Sequence, residues 1–154
     1  MKKLTRPKLL GAFSEEVRNL IRSRAEGLVL NLCSGTFDFG ITVDLIMPAD
    51  IKADVMHLPL KDEIADTVIF DPPFGRKFKK QYGAYYADRR KAFKEVIRVL
   101  KPGGLLIFSH YFIPQYKTLL LEEVYMIVNM PWEHVRALSF SRKQKRLLDI
   151  AEAL

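Results

Sequence analysis

Apolar residues along this chain gather in short blocks parted by turn residues, and between the blocks they recur at the three- and four-residue spacing of a helix. Residues 14–26 read as an amphipathic helix. Ser14 suits the N-cap, Glu15 and Glu16 suit the positive end of the helix dipole, and Val17, Leu20, Ile21 and Ala25 form one stripe, with Gly27 as the stop. The block 28–32 then reads as a buried strand entering the turn Cys33-Ser34-Gly35-Thr36, and 41–47, interrupted by Asp44, as a second. Residues 53–56 are expected to form a third short strand and 67–70 a fourth, halted by Pro72-Pro73 because proline has no N–H for a sheet ladder. Helical spacing returns over 88–100 through Ala92, Phe93, Val96, Ile97 and Leu100, until Lys101-Pro102-Gly103-Gly104 ends it. Strand 105–109 follows, then a short helix over 119–124 running into strand 125–128. A last and more exposed strand over 135–141 and a helical tail from Arg142 to Leu154 complete the pattern. Alternating buried strands and helices predict an α/β fold with a mainly parallel sheet. Each unusual motif falls where a strand ends, which is where such sheets bind ligands.

The length of 154 residues fits a single domain, divided into an N-terminal helical segment (1–27), a sheet core (28–141) and a basic C-terminal helix (142–154). No apolar run nears the roughly 20 residues of a membrane-spanning helix, and no signal-peptide core follows Met1-Lys2-Lys3. A cytoplasmic location and no membrane partner are therefore expected. Cys33 is the only cysteine, which excludes an internal disulfide and argues against a cysteine-based zinc site, and no metal is expected. The formal charge of +7 is unevenly placed, since residues 75–91 hold seven Lys/Arg against Asp88 alone. Such an excess favours polyanionic partners, although a solvated basic face produces the same count.

The most specific chemical signal is Val68-Ile69-Phe70-Asp71-Pro72-Pro73-Phe74-Gly75, an apolar strand feeding a carboxylate, two stiffening prolines and an aromatic ring. An exocyclic amine on a base is a poor nucleophile, because its lone pair is delocalised into the ring. An enzyme that methylates it must orient it and accept its hydrogen bonds. Asp71 and the carbonyl of Pro72 are suitable acceptors, and Phe74 is suited to stacking on the base. The competing reading is a strand-ending turn with an incidental acid.

These residues resemble the class I S-adenosylmethionine (SAM)-dependent methyltransferases, and within them the amino-methyltransferases that carry Asp/Asn-Pro-Pro-Tyr/Phe. The resemblance extends over the Asn31 to Thr36 turn, Asp44, Asp54 with Leu58-Pro59-Leu60, the Asp71 loop and Lys101-Pro102-Gly103-Gly104. It implies a Rossmann-like, mainly parallel seven-stranded sheet with an antiparallel C-terminal hairpin, SAM as cofactor, and methylation of adenine N6, guanine N2 or a protein amide or amine. It further implies that Asn31, Cys33, Ser34 and Gly35 face the methionine part of SAM, that Asp44 bonds the ribose hydroxyls, and that Asp54 and Val55 meet the adenine. The spacing departs from the pattern. Eight residues separate Gly35 from Asp44, fewer than the about 10 to 12 of a strand–helix–strand crossover, so the first crossover must be shortened and Asp38 and Asp50 compete with Asp44.

Directly after the Asp71 loop, Arg76, Lys77, Lys79 and Lys80 interleave with Tyr82, Tyr85 and Tyr86, a composition suited to phosphates and stacked bases. His110 and Tyr111, after the fifth strand, are candidates for the same pocket edge, and the cluster Arg142 to Arg146 is a candidate extension of the track. A nucleic-acid base is the expected target, RNA slightly ahead of DNA, since no separate target-recognition domain is present in this length. The alternatives are a protein or small-molecule amine or amide as substrate, and a non-catalytic SAM-binding partner subunit. A protein partner or a homodimer is left open.

Overall fold

The computed structural model describes residues 12–73, 88–128 and 135–152. Its elements are α1 (Glu15–Arg24), β1 (Val29–Leu32), β2 (Ile41–Asp44), β3 (Ile51–Lys52), β4 (Ala65–Phe70), α2 (Arg89–Val99), β5 (Leu100–His110), β6 (Leu119–Ile127), β7 (Arg136–Lys143) and α3 (Leu147–Glu152). The strands form one seven-stranded sheet in the order β3-β2-β1-β4-β5-β7-β6. Strands β3, β2, β1, β4 and β5 run parallel, while β7 is antiparallel to both β5 and β6. This is the α/β sheet with an antiparallel C-terminal hairpin that the sequence predicts.

Continuous apolar blocks arise because both faces of the central strands are covered. On one face Leu30, Val68, Phe70, Leu106 and Phe108 pack with Ala92, Phe93, Val96 and Val99 of α2. On the other, Val29, Ile69, Leu105, Ile107, Leu138 and Phe140 pack with Ile21 of α1 and with Phe13 and Phe37. The side chain of Ser14 caps α1 by accepting from the Val17 N–H (3.4 Å), and that of Asp88 caps α2 by accepting from the N–H groups of Arg90 and Lys91.

The shortened crossover is real. Residues 33–40 join parallel β1 and β2 without a helix, and α1, which precedes β1, covers that face instead. Phe37 fills the gap in the connection. Its ring is buried, meets Phe13 edge-on at 6.0 Å, stacks with Phe39 at 5.7 Å, and carries the guanidinium groups of Arg18 and Arg22 at 5.3 Å each. Burying one such ring stabilises the fold by about 1.5–3 kcal/mol. The tight return also needs left-handed backbone at Cys33 (φ +57°), Gly35 (φ +54°) and Gly40 (φ +70°). At Gly40 a Cβ would stand 2.7 Å from the Val29 carbonyl oxygen, so no other residue fits without movement.

Five expectations about elements are corrected. The third strand is Ile51–Lys52, and 53–56 is the turn that follows it. Lys101 to Gly104 do not lie outside the sheet but belong to β5, which follows α2 directly. Residues 119–124 are strand, continuous with 125–127. Pairing with β7, the edge-on contact of Tyr125 with Phe140 (5.7 Å) and the Arg24–Glu123 ion pair (2.6 Å) outweigh the helical propensity of Leu and Glu. Finally, β7 is not the exposed strand. It lies between β5 and β6 with Leu138, Ser139, Phe140 and Ser141 buried, and β6 is the edge. The helical tail is confined to α3, and Arg142 and Lys143 end β7. No helix among the described residues is long and apolar enough to cross a membrane.

Candidate active site

The parallel strands all point their carboxyl ends to one edge of the sheet, and that edge gathers the turn after β1 (Cys33, Ser34, Gly35), Asp44 ending β2, Asp54 after β3, and Asp71-Pro72-Pro73 after β4. Strand β5 ends there with Ser109 and His110, and antiparallel β7 begins there, with His110 opposite Ala137. Topology alone thus brings these residues together.

Asp44 ties the first turn to the second strand. Its Oδ2 accepts from the Gly35 N–H (3.0 Å), and its Oδ1 accepts from the N–H groups of Ile46 (2.9 Å) and Met47 (2.8 Å). A carboxylate offers about four acceptor sites, so Asp44 keeps little free capacity and acts first as the brace of this loop. Of its two competitors, Asp50 enters β3 and accepts from the backbone and hydroxyl of Thr42 (2.9 and 2.8 Å), and those bonds hold its carboxyl below the usual range. Asp38 is exposed within the 33–40 connection. Only Asp44 stands at the carboxyl end of a strand. Asn31 is buried and donates to the Phe37 carbonyl (2.7 Å), so its side chain shapes the loop from below.

Asp54 accepts from the Met56 N–H (2.8 Å) and its carbonyl accepts from the His57 N–H (2.9 Å), while Val55 is a core residue. Two α2 residues that the sequence did not single out fix this stretch. Glu95 accepts from the Leu58 N–H (2.9 Å), and Arg98 reaches the carbonyls of Leu58 (3.1 Å) and Leu60 (2.7 Å) and the carboxylates of Asp62 and Glu95 (both 2.7 Å). Their three-residue spacing is the available signal. Burial, and then the charges of Asp44, Asp71 and Asp54, push the Cys33 thiol far up. It stays neutral and is no nucleophile. Three predicted acids from three strand ends therefore bear on one atom.

Asp71 follows β4, with its N–H donating to the Leu32 carbonyl (3.4 Å). Its side chain is 18% exposed, but Oδ1 is sealed from solvent and lies 3.8 Å from Nη1 of Arg136, a residue only 3% exposed overall. Burial pushes the Asp71 carboxyl up to about 7, against the opposing pull of Arg136 and then of the Ser109 hydroxyl. Arg136 was not anticipated. The signal was present, because it shares the inward register of Leu138 and Phe140 in a strand of period two.

His110 is buried, its Nδ1 accepts from the Tyr111 N–H (2.8 Å), and its ring lies 5.7 Å from Phe108 and 4.4 Å from Phe112. Burial, and then nearby Arg89, push it down to about 4, so it is neutral at neutral pH. With Pro72, Pro73, Arg89 and Phe93 it lines a small recess beside the Asp71 turn. Phe74, Arg76, Lys77, Lys79, Lys80, Tyr82, Tyr85 and Tyr86 lie outside the described residues. The Arg142 to Arg146 cluster lies away from the Asp71 turn. It sits at the opposite end of the sheet, beside Leu105 and Leu100, where Arg142 pairs with Glu26 and Glu122, Lys143 donates to the Ile97 and Leu100 carbonyls, and Arg146 pairs with Glu63 and Asp149.

A protein-family model described as a methyltransferase domain matches residues 13–108, more than half of the chain, from Phe13 into the fifth strand. The chain belongs to this methyltransferase family. U6 snRNA (guanine-N(2))-methyltransferase THUMPD2 of Bos taurus is 37% identical to this methyltransferase over 57 residues, 37% of this chain and 10% of the relative. The chain thus spans about a tenth of that protein's length. Among solved structures, a SAM-dependent methyltransferase of Methanosarcina mazei superposes with a TM-score of 0.57 at 10% identity, over 82% of this chain and 98% of the other. A Burkholderia thailandensis 1,6-didemethyltoxoflavin-N1-methyltransferase, solved with 1,6-didemethyltoxoflavin and S-adenosylhomocysteine, gives 0.61 at 10% identity, over 85% and 78%. At these identities the likeness is one of fold, and the fold is that of the SAM-dependent methyltransferases.

The residues present suit that cofactor. Space is open within 4 Å of where a Gly35 Cβ would stand, and the buried Ser34 Oγ has no hydrogen-bond partner among the described residues. Carboxylates from three strand ends suit a cationic sulfonium.

Proposed function

We propose that this methyltransferase transfers the methyl group of SAM to an exocyclic amine of a nucleic-acid base, RNA ahead of DNA. The observation that carries the reading is Asp71-Pro72-Pro73 at the carboxyl end of β4, across from the Gly35 turn, with the carboxyl half-sealed at the sheet edge. The Cys33 to Gly35 turn, Asp44, Asp54 and Val55 are assigned to the cofactor, which supplies an electrophilic methyl group. Asp71 and the Pro72 carbonyl accept the two amine N–H groups and turn the lone pair toward that methyl group. When the new C–N bond forms and the C–S bond breaks, the amine nitrogen must lose a proton. A carboxyl that titrates near 7 is suited to take it. Phe74 is assigned to stacking on the base and His110, neutral, to the edge of the substrate recess. Arg76, Lys77, Lys79, Lys80, Tyr82, Tyr85 and Tyr86 are assigned to the nucleic-acid backbone and neighbouring bases.

THUMPD2 supports a nucleic-acid amine as target, since its name describes a guanine-N2 methyltransferase of U6 snRNA. The charge excess in 75–91 supports a polyanion. A cytoplasmic location remains part of the proposal. The test is transfer from labelled SAM to total RNA and to genomic DNA, with digestion to nucleosides and mass spectrometry of the product. Methylated guanosine or adenosine that declines steeply with salt supports the reading. Label on small amines or protein alone, insensitive to salt, would contradict it.

A further inference from the structure

We propose that Arg136 is a positioning residue for methyl transfer, holding Asp71 by its Oδ1 atom together with Ser109 so that the other carboxyl oxygen is presented to the substrate amine. The inference rests on the reading of Asp71 as the acceptor of that amine, and it assigns the back of the carboxyl to β5 and β7.

The geometry comes from three strand ends. Asp71 leaves β4, Ser109 is the penultimate residue of β5, and Arg136 opens β7, which pairs antiparallel with β5 at this end. Oδ1 of Asp71 has no exposed surface and no hydrogen bond among the described residues, so the exposed part of this side chain lies away from that atom. Nη1 of Arg136 is 3.8 Å from Oδ1, and the guanidinium also lies over the ring of Phe13, 5.7 Å from its centroid. Ser109 is 1% exposed, and its hydroxyl, also without a hydrogen bond among the described residues, acts on the same carboxyl. A buried arginine is costly unless its charge is used, and the carboxylate it faces here is the one that follows the catalytic strand. Both oxygens of a free carboxylate would compete for the amine. Engaging one from behind fixes the direction of the other.

The charges around Asp71 set the sign of the effect. From β7, Arg136 is the cation. From β5, Ser109 is uncharged and His110 is neutral at neutral pH. From the turn after β1, Cys33 is a neutral thiol, and Asp44 and Asp54, which converge on that thiol, add negative charge that disfavours a second carboxylate. Arg89 of α2 faces His110. Among the described residues, removal of Arg136 therefore takes away the main support for the ionised form, and the titration of Asp71 must move to higher pH.

The experiment reads Asp71 directly by carbon-13 NMR titration of Asp carboxyl groups in the 17.8 kDa chain, its signal assigned by loss in Asp71→Asn. The pH dependence of kcat is measured in parallel. Arg136→Gln is expected to move both the carboxyl midpoint and the acid limb of kcat upward by about one pH unit or more, which at pH 7 lowers the ionised fraction, and with it the rate, by about fivefold or more, a loss that higher pH restores. Arg136→Lys is expected to restore most of both. Should Arg136→Gln not fold, Ser109→Ala carries the test with a smaller shift in the same direction. An unchanged Asp71 midpoint in the folded variants overturns the proposal even where transfer is normal. A shifted midpoint without any detectable transfer in the wild type sustains the Asp71–Arg136 linkage and overturns the proposed function instead.

Discussion

Replacing Asp71 by asparagine is expected to stabilise the fold while removing its activity. In the folded chain the Asp71 carboxyl is pushed up to about 7 by burial, whereas in the unfolded chain it returns to the ordinary value of 3.8. A group whose folded value is the higher one favours the folded state in its protonated form, so its contribution is fully present below pH 4 and is lost as pH rises through about 7. At about 1.4 kcal/mol per pH unit, the gap of about three units sets a ceiling of about 4 kcal/mol for the cost of ionising Asp71 above neutrality. The side chain is 18% exposed, and solvent relaxation lowers the cost toward about 2 kcal/mol. Asparagine keeps the shape and an oxygen for Arg136 while avoiding ionisation. Urea unfolding of both proteins from pH 4 to pH 8 should show similar stability at the acid end and a variant more stable by about 2–4 kcal/mol at pH 8. A variant that is less stable at pH 8, or a difference that does not change with pH, would refute the burial argument.

Gly40→Ala should lower stability by about 2–3 kcal/mol, because φ +70° and a Cβ 2.7 Å from the Val29 carbonyl oxygen cannot both be relieved, and thermal unfolding measures it. Phe93→Ala should cost about 3–5 kcal/mol in chemical denaturation, since its ring packs at 4.9 Å on Phe108, 5.5 Å on Phe70 and 5.0 Å on Tyr116. Arg98→Ala removes the donor shared by the Leu58 and Leu60 carbonyls and the Asp62 and Glu95 carboxylates. It should loosen 54–62, visible as faster amide exchange there, and weaken S-adenosylhomocysteine binding more than it lowers the unfolding midpoint.

The parallel core was legible because fully covered strands write themselves as apolar blocks, and the ends of those blocks carried Gly35, Asp44 and Asp71 to one sheet edge. The eight-residue gap between Gly35 and Asp44 correctly announced a connection without a helix. That Phe37, Phe13 and the preceding α1 would cover the exposed face was not legible, since it depends on packing between residues far apart in the chain. β6 was mistaken in part for a helix because an edge strand has one weakly covered face, and its Leu-Leu-Leu-Glu-Glu run lacks alternation until it pairs with β7. The same error left β7 as the exposed strand and hid Arg136. A charged residue in an inward register looks like a solvent position until its partner, Asp71, is placed 3.8 Å away by an antiparallel strand.

The proposed site divides its labour at the sheet edge, with the Gly35–Asp44 side assigned to SAM and the Asp71 side to the amine. Calorimetric titration of S-adenosylhomocysteine into the wild type, Asp44→Ala and Asp71→Ala tests it most directly. The wild type is expected to bind, Asp71→Ala to keep binding even as transfer is abolished, and Asp44→Ala to bind clearly more weakly. No binding by the wild type, or equal loss in both variants, would contradict it.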